Sequence, residues 1–120
     1  MDGLYGEIKD IIEKQAQKTG EPFESGKFTG LGWYFFHYKC STYDGPYPRV
    51  CLKQQQNAVH IYTALWQDGE SVLEDYVDVF GKSAIGKGCI RIKKLTPARK
   101  EALLEILGMA KKRQELKHEN

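Results

Sequence analysis

The chain has 120 residues, of which 41% are hydrophobic and 28% are charged, and its formal net charge is +2. We therefore expect a single domain over residues 1–120, with a globular part of about 4–110 and a basic, polar tail over 111–120. No apolar run approaches the ~18 residues of a membrane span. The N-terminal MDGLYGEIKD lacks the features of a signal peptide, so we expect a cytoplasmic location and no membrane partner.

Charge is distributed unevenly along the chain. Residues 1–80 hold 7 basic and 12 acidic side chains, a net −5, whereas residues 81–120 hold 11 basic and 4 acidic ones, a net +7. This separation predicts a basic surface that attracts an anionic partner, unless the acidic helices neutralise it in the fold.

The N-terminal segment predicts an amphipathic helix between Asp2 and Gly20. Its apolar residues recur at helical spacing, and acidic side chains precede Lys18 in the order that the helix dipole favours. From Gly20 to Gly26 the chain contains Pro22 and is typical of a loop.

Three strands are predicted next. The aromatic run over residues 32–40 indicates a strand with both faces covered at least in part. Residues 49–54 and 58–64 alternate in polarity on either side of a short polar turn, which predicts a β-hairpin.

A second helix is expected from Ser71 to Gly81. Ser71 and Glu74 have the spacing of a capping box, and an apolar stripe runs from there to Phe80. Gly81 is expected to end this helix in the left-handed conformation.

The last elements are a strand over residues 89–94 and a helix that begins with Thr96 as N-cap and Pro97 in the first turn. Residues 111–120 have no apolar face, so we expect them to fray or to be solvated. The predicted order is α-β-β-β-α-β-α, an α+β fold in which helices pack on a small, mostly antiparallel sheet.

The glycine-rich segment FGKSAIGKGCIRIKKL, residues 80–95, comes close to a nucleotide-binding loop. Gly81 to Lys87 match G-x-x-x-x-G-K, but Gly88 stands where a serine or threonine is needed to bind magnesium. The predicted helix also precedes the loop, whereas a phosphate-binding loop opens a helix. We therefore interpret these glycines as a turn back into the sheet.

Three segments together resemble the YdhG-like family of domains of unknown function. They are GLGWYFFHYK, PRVCLKQQQNAVHIYTALW and GKSAIGKGCIRIKKL, and the resemblance covers about residues 4–110. It implies a YdhG-like α+β fold and a cytoplasmic bacterial protein. One branch of that family has been described as a frataxin-like iron chaperone, so the resemblance offers iron delivery as an alternative function.

Iron delivery requires hard oxygen ligands such as exposed carboxylates. Glu7 and Asp10 on the first helix, and Glu74 and Asp78 on the second, are spaced to share a helix face. The same positions also suit plain solvated surfaces. The histidines and cysteines do not have the spacing of a zinc site, and no cofactor is expected.

The three cysteines, Cys40, Cys51 and Cys89, are odd in number and form no C-x-x-C motif. Each falls in a predicted strand, which favours buried, reduced thiols. No nucleophile has a convincing orienting partner, so an enzyme is not expected.

Nucleic-acid binding through residues 82–100 is a further alternative, because basic side chains are dense there. They are Lys82, Lys87, Arg91, Lys93, Lys94, Arg99 and Lys100. No known nucleic-acid-binding signature accompanies them.

The favoured function is a non-enzymatic module that binds a small molecule or a partner protein. Seven tyrosines and five phenylalanines, many of them near the basic loop, predict an aromatic pocket between the sheet and the helices. The predicted lining comprises Tyr34, Phe36, Tyr38, His60 and Tyr62, with the basic residues Lys82, Lys87, Arg91 and Lys93 nearby for an anionic group. The same aromatics would also serve as an ordinary hydrophobic core.

Overall fold

The computed structural model describes residues 2–25, 28–41, 43–63, 65–67, 70–86 and 88–119. In these ranges the α-helices are Asp2–Ala16 (α1), Val77–Phe80 (α2) and Pro97–Glu119 (α3). The strands are Glu21–Ser25 (β1), Phe28–Cys40 (β2), Tyr43–Gln54 (β3), Val59–Thr63 (β4), Trp66–Gln67 (β5), Glu70–Ser71 (β6), Ile85–Gly86 (β7) and Cys89–Ile92 (β8). Two 3₁₀ turns occupy Val72–Tyr76 and Lys82–Ala84.

Six strands form one antiparallel sheet in the order β1-β2-β3-β4-β8-β7, and β5 and β6 form a separate small hairpin. The predicted α+β class is therefore confirmed. Within the described ranges no helix is both long and apolar enough to cross a membrane.

The core lies between one face of the sheet and the helices α1 and α3. Leu52, Ile61 and Ile90 stand side by side on β3, β4 and β8, and each is fully buried. From the helices they are covered by side chains that are likewise fully buried, namely Ile8, Ile12, Leu103, Ile106, Leu107 and Ala110. The alternation predicted for β4 and for Ile90–Ile92 of β8 is thus confirmed. On β3, Arg49 and Cys51 face away from the core but are buried as well.

The segment predicted as a loop around Pro22 is a strand, so that prediction was wrong. β1 is the outermost strand, with Pro22 opposite Leu31 and Phe23 buried. An edge strand tolerates proline because one of its sides makes no ladder hydrogen bonds. Phe23 anchors the strand, and its apolar side chain outweighs the turn propensity of its neighbours.

The second predicted helix is shorter and tighter than expected. A 3₁₀ turn over Val72–Tyr76 precedes the single α-helical turn of α2, and Ser71 belongs to β6 rather than to a capping box. The three-residue period of the 3₁₀ turn aligns Leu73 with Tyr76. Both contact the core, as does Val79 of α2. Gly81 ends α2 at a positive φ of 96°, but its ψ of 143° is extended rather than left-handed helical.

The start of α3 is as predicted. The Thr96 hydroxyl accepts a hydrogen bond from the backbone N–H of Arg99 at 3.2 Å, and Pro97 opens the first turn. The helical backbone continues to Glu119, and Lys111 and Lys112 are exposed, as expected of a solvated segment.

The distal half of the β2–β3 hairpin forms a two-stranded arm, which we call the aromatic arm (residues 34–40 and 43–49). These residues pair with each other beyond the ends of β1 and β4. Aromatic side chains of the arm contact one another and also contact Phe23 of β1. The arm residues in these contacts are Phe35, Phe36, Tyr38, Tyr43 and Tyr47. Such cross-strand aromatic contacts stabilise a ribbon that has few other neighbours.

Candidate functional site

A cavity of about 600 Å³ lies where the β3–β4 turn, strand β8 and the segment 80–84 meet. We call it the basic cavity, and it is lined by Gln55, Gln56, Asn57, Ala58, His60, Phe80, Ser83, Ala84, Arg91, Lys93 and Arg99. Its volume falls in the range of pockets that hold small ligands. A second cavity of about 700 Å³ adjoins it, shares Lys93 and the β3–β4 turn, and reaches Leu4 of α1.

The register of the sheet brings the basic side chains together. Lys53 of β3 stands opposite His60 of β4, and His60 stands opposite Arg91 of β8. The three lie on the face opposite the hydrophobic core, and Lys93 follows Arg91 by two residues on that same face. This row depends on β8 pairing with β4, so it joins residues that are far apart in sequence.

Arg91 is exposed but oriented by its surroundings. Its Nη1 donates a hydrogen bond to the backbone oxygen of Ser83 at 3.2 Å. A Cβ placed on Gly86 would lie 3.5 Å from Nη2 of Arg91, so the glycine leaves the guanidinium room along β7. The remaining N–H groups of the guanidinium are donors for a planar or tetrahedral anion.

Arg99 contributes a charge that the fold holds in place. Its Nε donates to the oxygen of Val79 at 3.2 Å and its Nη1 to the oxygen of Lys94 at 2.8 Å. These two bonds join the end of α2 to the loop before α3, and they hold a positive charge at the wall of the basic cavity.

His60 is a neutral polar group in cationic surroundings. Its Nδ1 lies 3.3 Å from the hydroxyl of Tyr62. Burial, and then the charges of Arg91 and Lys53, lower the pKa of His60 below its ordinary value of 6.5. Nε2 of His60 has no hydrogen-bond partner among the residues that the structure describes, and His60 lines the basic cavity.

No carboxylate lines the basic cavity in the described part of the chain. Lys9–Glu13, Lys18–Glu21 and His37–Asp44 form ion pairs, and all three lie within the first 44 residues, away from the cavity. Arg91, Lys93 and Arg99 therefore carry positive charge that no described acidic side chain neutralises by direct contact.

The predicted pocket residues fall into two groups. His60, Arg91 and Lys93 line the basic cavity, with Tyr62 beside them. Phe36 and Tyr38 instead belong to the aromatic arm, where the guanidinium of Arg49 lies 4.2 Å from the ring centre of Phe36.

Two further predicted lining residues lie away from the cavity, and one falls outside the structure's description. Tyr34 packs against the hydrophobic core. Lys82 is exposed in its 3₁₀ turn and does not line the cavity. Lys87 lies outside the described residues.

The polar turn Gln55, Gln56 and Asn57, and Ser83, were not predicted to line a site, and Arg99 was predicted only as a nucleic-acid contact. The turn was recognised only as a link between strands. A strand register that places the turn beside β8 would have been needed to identify it as part of a site.

The residues proposed for iron do not converge. Glu7 and Asp10 are exposed on α1, and Glu74 and Asp78 are exposed on the segment before and within α2. The change of helix type between Glu74 and Asp78 alters the four-residue spacing on which that pairing was based. No group of three or more histidine, cysteine or acidic side chains suitable for a metal occurs among the described residues.

Cys51 and Cys89 are free and buried. Burial raises the pKa of Cys51 to about 12 and also raises the pKa of Cys89, so both are neutral thiols. They flank Tyr62 on neighbouring strands, which separates their Cα atoms by about 10 Å, too far for a disulfide. The side chain of Cys40 lies outside the description.

Comparisons with protein-family models, with curated proteins and with solved structures found no match to this chain. The resemblance to the YdhG-like family stays a prediction. A proposal for the function therefore rests on the geometry and charge of the basic cavity.

Proposed function

We propose that the chain is a cytoplasmic binding module for a small anionic molecule, which it holds in the basic cavity without converting it. The observation that carries this proposal is a cavity of about 600 Å³ that Arg91, Lys93 and Arg99 line without a carboxylate among the described lining residues.

Like charges that share a site repel one another, and a bound anion removes that repulsion while accepting hydrogen bonds. Arg91 and Lys93 are exposed and have N–H donors available, whereas Arg99 is fixed by its two backbone contacts. His60 lies beside them and is able to gain a proton once an anion offsets the charges of Lys53 and Arg91.

The test is calorimetric titration of the protein with inorganic phosphate, sulfate and citrate at low ionic strength. The informative pair of variants is Lys93→Ala and Lys94→Ala, because both residues are exposed lysines and only Lys93 lines the basic cavity. Loss of one charge-assisted hydrogen bond predicts about tenfold weaker binding for Lys93→Ala. Lys94→Ala is expected to bind like the wild type.

Absence of measurable binding to all three anions overturns the proposal. Equal weakening by the two lysine variants also contradicts it, because that result indicates a general effect of net charge rather than a site.

Nucleic-acid binding through residues 82–100 remains a second candidate, supported by the described basic side chains Lys82, Arg91, Lys93, Lys94, Arg99 and Lys100, which make no ion pair with described acidic groups. A nucleic-acid binder loses affinity linearly on a log–log plot against salt. Titration with a short single-stranded oligonucleotide between about 50 and 200 mM salt tests it. Here Lys94→Ala and Lys100→Ala are expected to weaken binding as much as Lys93→Ala does.

The iron function that the YdhG-like resemblance implies also remains a prediction. Titration with ferrous iron tests it, with Glu7→Gln/Asp10→Asn and Glu74→Gln/Asp78→Asn as double variants. Iron binding that is lost in one of these double variants supports the iron function, and binding that both retain contradicts these ligands.

A further inference from the structure

The basic cavity has two chemically different sides. Arg91 and Lys93 form a cationic side, next to the neutral His60, and the amides of Gln55, Gln56 and Asn57 form a polar, uncharged side. The β3–β4 turn supplies the amides, and β4 and β8 supply His60 and the cationic side, so both sides are placed by one strand register.

The amides of Gln56 and Asn57 are available to a ligand. Both side chains are exposed, and neither forms a side-chain hydrogen bond with the described residues. Gln55, by contrast, hydrogen-bonds the side chain of Tyr62. A primary amide both donates and accepts hydrogen bonds, as a hydroxyl group does, so the pair suits a ligand that carries several hydroxyls.

The apolar part of the lining is small. Ala58 and Ala84 offer single methyl groups, and Phe80 is only 4% exposed, so its ring face is committed to the core. The lining therefore lacks the broad aromatic or long aliphatic surface that would retain an aryl or acyl group.

We propose that the ligand is a phosphate monoester of a polyhydroxy compound, of the sugar-phosphate class. Its phosphate lies against Arg91, Lys93 and His60, and its hydroxyls face Gln56 and Asn57. This inference rests on the proposed function, since it specifies the ligand of the same cavity.

The experiment compares the affinities of inorganic phosphate, glucose 6-phosphate and phenyl phosphate for the full chain and its variants. Glucose 6-phosphate is expected to bind at least about tenfold more tightly than inorganic phosphate, because two added hydrogen bonds of ordinary strength supply that factor. Phenyl phosphate has no hydroxyls and is expected to bind no better than inorganic phosphate.

The variants Gln56→Ala, Asn57→Ala and their combination test the assignment of the hydroxyl side. The double variant is expected to bind glucose 6-phosphate no better than inorganic phosphate. Gln15→Ala on α1 removes an amide remote from the cavity and serves as the control, with near-ultraviolet circular dichroism to check each fold.

The outcomes separate the two proposals. If no phosphate compound binds, both the anion site and the sugar-phosphate class are overturned. If inorganic phosphate binds but glucose 6-phosphate shows no advantage, or phenyl phosphate binds best, only the ligand class is overturned. An advantage that survives in the double variant removes Gln56 and Asn57 from the site and overturns the assignment of that side.

Discussion

Single residues decide how tightly the N-terminal helix meets the sheet. Trp33 is 1% exposed, and its indole Nε1 donates to the backbone oxygen of Lys18 at 3.0 Å. A Cβ on Gly20 would lie 2.6 Å from Cζ2 of that indole. The absence of a side chain at Gly20 therefore allows the chain to pass directly over the largest buried ring.

The change Gly20→Ala is expected to destabilise the protein by roughly 1–3 kcal/mol, because the buried indole has to move to admit a methyl group. The free energy of unfolding in urea measures this. Gly6→Ala is the matched control: a Cβ there meets nothing within 4 Å, and alanine raises helix propensity, so it is expected to stabilise. A Gly20→Ala variant as stable as the wild type would contradict the close contact.

His60 predicts a pH dependence of stability. Its folded-state pKa is lowered by burial and by Arg91 and Lys53, so the unfolded chain binds a proton more readily. The contribution of His60 to the free energy of unfolding is therefore most favourable above 6.5, the pKa in the unfolded chain. It is lost as pH falls from 6.5 through the lower pKa of the folded state, because the unfolded chain takes up the proton first. His60→Gln is expected to flatten this part of the stability curve.

The same residue links pH to anion binding. A bound anion offsets the neighbouring positive charges and raises the pKa of His60, so sulfate, which stays a dianion over this range, is expected to bind more tightly as pH falls below about 6.5. Nuclear magnetic resonance titration of the His60 ring, with and without sulfate, measures the shift. An unchanged pKa in saturating sulfate would place the anion away from His60.

At the scale of elements, the joint between α2 and α3 depends on Arg99. Its two hydrogen bonds satisfy the carbonyl group of Val79, in the single turn of α2, and that of Lys94, in the loop before α3.

Arg99→Ala is expected to lower the free energy of unfolding by about 1–3 kcal/mol, since hydrogen bonds from a charged donor are lost. Lys100→Ala, at an exposed neighbour, is expected to change it by less than about 0.5 kcal/mol. Arg99→Lys cannot form the same fork and is expected to recover little. Chemical denaturation of the three variants provides the comparison, and equal stabilities would contradict the role of Arg99.

Elements with a strong local signal were predictable from the sequence. The Thr96–Pro97 start of α3 and the alternating strands around the β3–β4 turn are set by short-range capping and burial patterns, and the structure has both. The conformations of Pro22 and of residues 72–80 were not predictable from the sequence, because they are determined by the neighbouring strand and by the core. Tertiary contacts outweigh turn and helix propensity there.

The site was predictable only in part for a related reason. Basic residues 82–100 marked its cationic side, and His60 was included among the pocket residues. Gln56 and Asn57 approach Lys93 only because β8 pairs with β4, and no local pattern encodes that pairing. Phe36 and Tyr38 were predicted to line the pocket because the sequence does not indicate that β2 and β3 extend beyond the ends of β1 and β4.

Across the whole molecule, positive charge gathers around the basic cavity, where Arg91, Lys93 and Arg99 make no ion pair with a described acidic side chain. Its field extends about 8–10 Å at physiological salt.

Affinity for inorganic phosphate is therefore expected to fall as sodium chloride rises, and part of the loss reflects the field rather than direct contacts. Calorimetric titration at two salt concentrations measures it. Lys112→Ala, which changes an exposed lysine of α3 outside the basic cavity, is expected to reduce the salt dependence slightly without abolishing binding. Affinity independent of salt would contradict a charge-based site.

Strand β8 has a consequence for synthesis of the chain. A nascent chain that has emerged only as far as β6 presents β4 as an open edge, with its hydrogen-bonding groups available to another chain. Emergence of β8 pairs that edge and brings Arg91 and Lys93 to the β3–β4 turn in the same event. Only a chain that includes β8 is therefore able to hold an anion in the basic cavity, and anions in the cell would favour the folded over the unfolded state of that chain by mass action.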